Sequence, residues 1–184
     1  MKKSSLLFFL AVFILKLSVL GQEQQLEEVK KLYNYERYTS AGAKLHQLLA
    51  TNPNNAEAWA MLVRNYIQLN QSQKAADSIA LAPQAIKGEP YYTIAEAAVL
   101  LSRGDRNSAR SKFEQAIDAT KGKDMQLLAE IAAIQIESAN GDDAYAIELL
   151  DKAIKKNKKD ASLYILKGEA YRKQHNGTEA YKAF

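Results

Sequence analysis

Two histidines, His46 and His175, are the chain's only imidazoles, and cysteine is absent. Neither histidine has a partner at metal-ligand spacing, and a thiolate site is impossible without cysteine. The acidic pairs Glu27-Glu28 and Asp142-Asp143 are adjacent in sequence, so their carboxylates diverge on a helix or gather at its start. Asp142 and Asp143 suit a helix N-terminus, where the macrodipole favours negative charge, and lack the spaced ligands of a calcium loop. No glycine-rich phosphate loop, Ser-x-x-Lys or His-Glu-x-x-His pattern occurs in the sequence. The expectation is a protein that is not an enzyme and uses no cofactor or metal. The basic run Lys152, Lys155, Lys156, Lys158 and Lys159 has two readings: a patch for an acidic partner or anionic lipid, or cations complementing a helix C-terminus, the second being preferred. Asn70-Gln71-Ser72 and Asn176-Gly177-Thr178 match the glycosylation pattern, which matters only in a eukaryotic secretory pathway.

The amino terminus reads as a targeting segment. Lys2 and Lys3 form a positive start, Leu6 to Leu15 is unbroken apolar sequence, and Ser18-Val19-Leu20-Gly21 offers small residues before Gln22. Lys16 cuts the apolar stretch below the roughly 20 residues that span a bilayer. A signal peptide over residues 1–21 is expected, with export to a bacterial periplasm or cell envelope. Membrane association follows only if this leader is uncleaved. Of the 25 basic residues, Lys2, Lys3 and Lys16 leave with the leader, so 22 face 21 acids in the remainder. That near-neutral balance argues against a nucleic-acid partner, which needs a basic face.

The remainder, 22–184, must position whatever function exists. Its abundance of Ala, Leu, Lys, Gln and Glu, with three prolines and eight glycines in the whole chain, favours helices over strands. Ala41, Ala75, Ala109, Ala146 and Ala180 recur at intervals of 34, 34, 37 and 34 residues. Four positions after each stands Leu45, Ile79, Phe113, Leu150 or Phe184, and three further on come Leu48, Ala82, Ala116 and Ala153. Small, large and small at i, i+4 and i+7 is one stripe of an amphipathic helix. Upstream of each lies another helix, with Val29 and Leu32, then Trp59, Leu62, Val63 and Tyr66, then Ala97 and Leu100, then Ala133 and Ile134, then Tyr164, Gly168 and Tyr171 at core positions. Polar or glycine-bearing turns separate the two helices, and Asn52-Pro53-Asn54-Asn55 stops a repeat.

These features resemble the tetratricopeptide repeat family: Trp59, Leu62 and Tyr66 in one first helix, Gly168 and Tyr171 in another, Pro53 at a repeat end, and the five-fold stripe. Lysines replace proline at Lys87, Lys121 and Lys158, Glu137 stands at a usually aromatic position, and three extra residues are placed near Lys123-Asp124-Met125. The resemblance implies an all-α, right-handed superhelical solenoid of antiparallel helix pairs, with repeats at about 22–55, 56–89, 90–123, 124–160 and 161–184. The fifth stripe ends at Phe184 without its last small residue. The expectation is a fragment, or a cover over Tyr171, Ala180 and Phe184.

In the family, first helices line a concave face that binds an extended peptide or partner helix. That register implies Lys30, Tyr33 and Asn34, then Arg64, Ile67 and Gln68, then Tyr91, Ile94 and Ala98, then Gln135, and finally Glu169, Arg172 and Lys173 as partner-binding residues. The family's carboxylate clamp is not reproduced, because its positions carry Leu26, Lys30, Met61, Tyr91 and Ala95. Tyr33, Arg64 and Tyr91 are the expected anchors, since Tyr and Arg dominate interface energies. The resulting expectation is a non-catalytic scaffold of the cell envelope with a protein or peptide partner, no nucleic acid and no small-molecule substrate. The alternative is an accessory repeat region of a larger exported enzyme or envelope-anchoring protein continuing beyond residue 184.

Overall fold

The computed structural model describes residues 21 and 23–184. The expected leader lies almost wholly outside them. Every regular element among the described residues is helical, and the chain divides into two compact units, Met1–Pro53 and Asn54–Phe184.

The first unit holds α1 (23–34) and α2 (Tyr38–Thr51). Leu26, Val29 and Tyr33 from α1 and Ala41, Leu45 and Leu48 from α2 are buried at the spacing of one helical stripe. Tyr33 meets Tyr38 edge-on with ring centroids 5.0 Å apart, and Lys44 on α2 pairs with Glu28 on α1 at 2.8 Å.

The second unit carries four helix pairs: α3 (Ala56–Gln68) with α4 (Ser72–Leu81), α5 (Pro90–Ser102) with α6 (Arg106–Ala119), α7 (Met125–Glu137) with α8 (Asp143–Lys156), and α9 (Ala161–Lys173) with α10 (Gly177–Ala183). Each pair packs internally, and each first helix also packs on the next, α3 on α5, α5 on α7 and α7 on α9. The repeated alanines sit where helices approach closely: Ala75, Ala109 and Ala146 have no accessible surface. Phe113 and Leu150 from the same stripe fill the space beside them in a core shared with Ile94, Leu127, Ile131 and Leu149. Ile79 is half-buried and Phe184 is 67% exposed, so the stripe loses its cover at the last pair.

The turns explain how each helix stops. Asn70, Gly104 and His175 take positive φ of 57°, 85° and 58° one residue beyond the C-cap. The next amide then donates back into the helix, Gln71 to the Tyr66 carbonyl, Asp105 to Leu100 and Asn176 to Tyr171, closing the last turn in a left-handed cap. Asp105, Asp124, Asp142, Asp160 and Asn176 accept amide hydrogens from the helices they begin.

The fourth pair departs from this plan. Residues 138–142 separate α7 from α8, whereas three residues separate the helices of the other pairs in this unit. Two of the three extra residues therefore sit in the α7–α8 turn and not near Lys123-Asp124-Met125. Gly141 lies against α7 so closely that a Cβ there would stand 1.7 Å from the Gln135 carbonyl oxygen. The connection from α4 to α5 also differs, since Pro83 ends α4 and a short 3-10 turn, Gln84–Ile86, buries Ile86 beside Ala82 and Tyr92.

Candidate functional site

The first helices of the second unit form one row, and their polar side chains decide what its surface can hold. Arg64 on α3 reaches past α5 to α7. Its Nη1 donates to Glu130 Oε1 at 2.8 Å, its Nε donates to Glu137 Oε2 at 2.7 Å, and its Nη2 pairs with the other Glu137 oxygen. Gln68 donates to Glu137 at 3.0 Å, and Gln126 on α7 donates to Glu57 on α3 at 2.5 Å. Packed helices run about 8–10 Å apart, so α3 and α7 in a flat row would be separated by about 16–20 Å. Ion pairing across α5 requires the row to bend, with α5 at its base. Only about 20 Å³ remains beside Arg64, between Ile67, Gln68, Ala98 and Glu137, which is room for about one water.

Tyr91 lies at the α5 base of this closure. Burial first, then the negative charges of Glu57, Asp124 and Glu130, push its phenol far above the ordinary tyrosine range. Tyr91 is therefore a neutral hydroxyl at every ordinary pH.

A second depression is open. Ile136 on α7 and Glu169, Arg172 and Lys173 on α9 line a cleft of about 320 Å³. Lys173 is built into the wall: its Nζ donates to the Ile136 and Ser138 carbonyls at 2.7 and 2.9 Å and pairs with Asp143 at 3.4 Å, satisfying acceptors at the α7 C-terminus. Burial raises the Glu169 carboxyl above its ordinary range, Arg172 pulls it back, and Glu137 raises it further. Arg172 is exposed. The cleft thus presents a cation, a half-buried carboxyl and an apolar side chain within one space.

Of the residues the register implied, Glu169, Arg172 and Lys173 come together here, while Arg64, Ile67 and Gln68 come together in the closed part. Ile94, Gln135 and Tyr33 are 0%, 3% and 4% exposed and offer almost no surface. Gln135 has an internal task, its Oε1 accepting the Asp142 amide hydrogen at 2.9 Å. In the first unit, Asn34 is exposed and Lys30 pairs with Glu27 at 3.0 Å. Glu130, Glu137 and Ile136 were not anticipated. Seven-residue spacing puts Glu130 and Glu137 on one face of α7, and this is the signal that could have matched them to the lone Arg64 in the facing helix.

Stacked helix pairs with capped turns and a bent row of first helices define a helical-repeat fold. The sequence model of the tetratricopeptide repeat family matches residues 32–99, so that stretch is similar to tetratricopeptide repeats. Among solved structures, a chain of the APC/C hetero-tetramer Cut9-Hcn1 is 16% identical, with 88% of this chain and 32% of that one covered and a TM-score of 0.53. MamA is 17% identical over 89% of this chain and 87% of its own, at a TM-score of 0.45. PilF of Pseudomonas aeruginosa is 13% identical over 88% and 72%, at 0.48. No curated protein matches the chain in sequence.

Proposed function

We propose that this protein is a non-catalytic scaffold of the cell envelope, exported by its first 21 residues, which holds a peptide or partner helix against the α7 and α9 face of its second unit. The repeat fold supplies the general role, protein–protein interaction. The observation that carries the location is the contrast between two stretches of one row. Between α3 and α7 the polar side chains satisfy one another, whereas between α7 and α9 the cleft stays open with Arg172 exposed and Glu169 half-buried. An incoming chain there gains a charge-assisted hydrogen bond from Arg172 and apolar contact with Ile136, without first breaking an internal ion pair.

Arg172→Glu should weaken capture of a native partner at least about tenfold, the loss of one good charged contact, with helicity unchanged. Equal capture by the variant rules out this face. Export is tested separately by amino-terminal sequencing of the protein made in its own host: a mature start at Gln22 supports it, and an intact Met1 refutes cleavage.

A further inference from the structure

Antiparallel helix pairs stacked in one row place every turn within a pair at one edge and every connection between pairs at the other. In the second unit the two edges differ in charge. The connections 82–89, 120–124 and 157–160 carry Lys87, Lys121, Lys123, Lys158 and Lys159, and the last turn of α8 adds Lys155 and Lys156. The turns within pairs carry Arg103, and the helix ends beside them add Lys74, Arg106, Arg172 and Lys173, offset by Asp105, Glu137, Asp142 and Asp143 at the same edge. All seven lysines are exposed, and none has an ion-pair or hydrogen-bond partner for its ammonium group among the described residues. Elsewhere in the unit, Lys112, Lys152, Lys167, Lys173 and Lys182 are each paired with a carboxylate, and Lys74 lies over the Tyr66 ring.

Five acids lie at or near the basic edge: Glu57, Glu89, Asp118, Asp124 and Asp160. Asp124 and Asp160 turn their oxygens onto the Leu127 and Ser162 amides, so they serve the helix starts and do not neutralise the lysines. Lys155 and Lys156 complement the α8 dipole, Lys87 is the C-cap of the 3-10 turn and Lys121 follows the C-cap of α6, but Lys123, Lys158 and Lys159 lie beyond these helix ends. Helix capping therefore does not account for the whole row.

We propose that this edge of the second unit docks on an anionic lipid surface. Lysine ammoniums on flexible stems are point charges suited to a fluid array of headgroups, whereas a structured carboxylate partner favours the planar fork of arginine. Leu81, at the end of α4 on the same edge, is 76% exposed and supplies an apolar side chain at the level of the lysines, as interfacial segments do. The row spans three connections, so its attraction is additive and needs no fixed register.

The test is sedimentation of the mature chain of the proposed function, which begins at Gln22, with vesicles of phosphatidylcholine, alone or with about 30% phosphatidylglycerol. Leaving out residues 1–21 removes Lys2, Lys3, Lys16 and the apolar run Leu6 to Leu15 as lipid-binding groups of their own. Anionic lipid should raise binding at low salt at least about tenfold, and added salt should reverse the gain. Replacing all seven lysines by glutamine should abolish the gain, while Arg103→Gln with Arg106→Gln at the opposite edge should leave it intact. Unchanged thermal unfolding confirms that each variant folds. The proposal is overturned if the seven-lysine variant retains the gain. It is also overturned if poly-glutamate or duplex DNA binds the parent chain in a lysine-dependent way while anionic vesicles do not.

Discussion

Arg64 decides the character of its surroundings because its side chain is only 10% exposed and its charge is met by two glutamates on a helix two places along the row. Removing it leaves Glu130 and Glu137 facing each other without a cation. Arg64→Met should destabilise the fold by about 3 kcal/mol, the lower end for breaking a buried pair since the glutamates keep some water contact. Adding Glu130→Gln and Glu137→Gln should recover much of that loss, and urea unfolding of the three variants measures the coupling. Tyr91 makes the pH prediction. Its folded-state pKa is raised by burial and by Glu57, Asp124 and Glu130, so the native state keeps a proton that the unfolded chain releases near pH 10. The associated stability is complete below that pH and falls by about 1.4 kcal/mol for each further unit. Tyr91→Phe should make the alkaline slope of stability against pH shallower, the rest coming from Tyr145 and Tyr92, whose phenols burial also raises, and an unchanged slope would mean that Tyr91 ionises normally when folded.

At the scale of elements, the α7–α8 turn binds its neighbours together. Asn140 donates to the Leu101 carbonyl of α5 at 3.0 Å, Lys173 of α9 donates to two carbonyls at the end of α7, and Gln135 holds the Asp142 amide. Gly141→Ala should cost about 1–3 kcal/mol, as overpacking does, because its Cβ would collide with the Gln135 carbonyl. Asp142→Ala should cost about 1 kcal/mol through loss of the cap on Tyr145, and thermal unfolding separates the two effects. Helix type and core stripe were legible in sequence, since Ala41, Ala75, Ala109 and Ala146 have no exposed surface. The placement of the extra residues was not. A three-residue excess in a period says nothing about which of two loops absorbs it, and Gly141 revealed its purpose only against the backbone of Gln135. Nor could the register separate Glu169, which borders open space, from Ile94, which is buried, because a shared helical face is exposed or covered according to how the row bends.

For the molecule as a whole, the second unit joins a self-closed stretch from α3 to α7 to an open one between α7 and α9. Arg64, an expected anchor, is engaged in the closed stretch, so the proposed binding role rests on Glu169 and Arg172. The departure at Glu137 from the family's aromatic residue also gains a reason, because a carboxylate there ties α7 to α3. Site-specific photo-crosslinking in the producing cell tests the scaffold account most directly, with the reactive side chain placed at Arg172 in the cleft or at exposed Gln115 on α6. A discrete protein adduct from position 172 and none from position 115 is the expected result; no adduct from 172, or the same adducts from both positions, would contradict it.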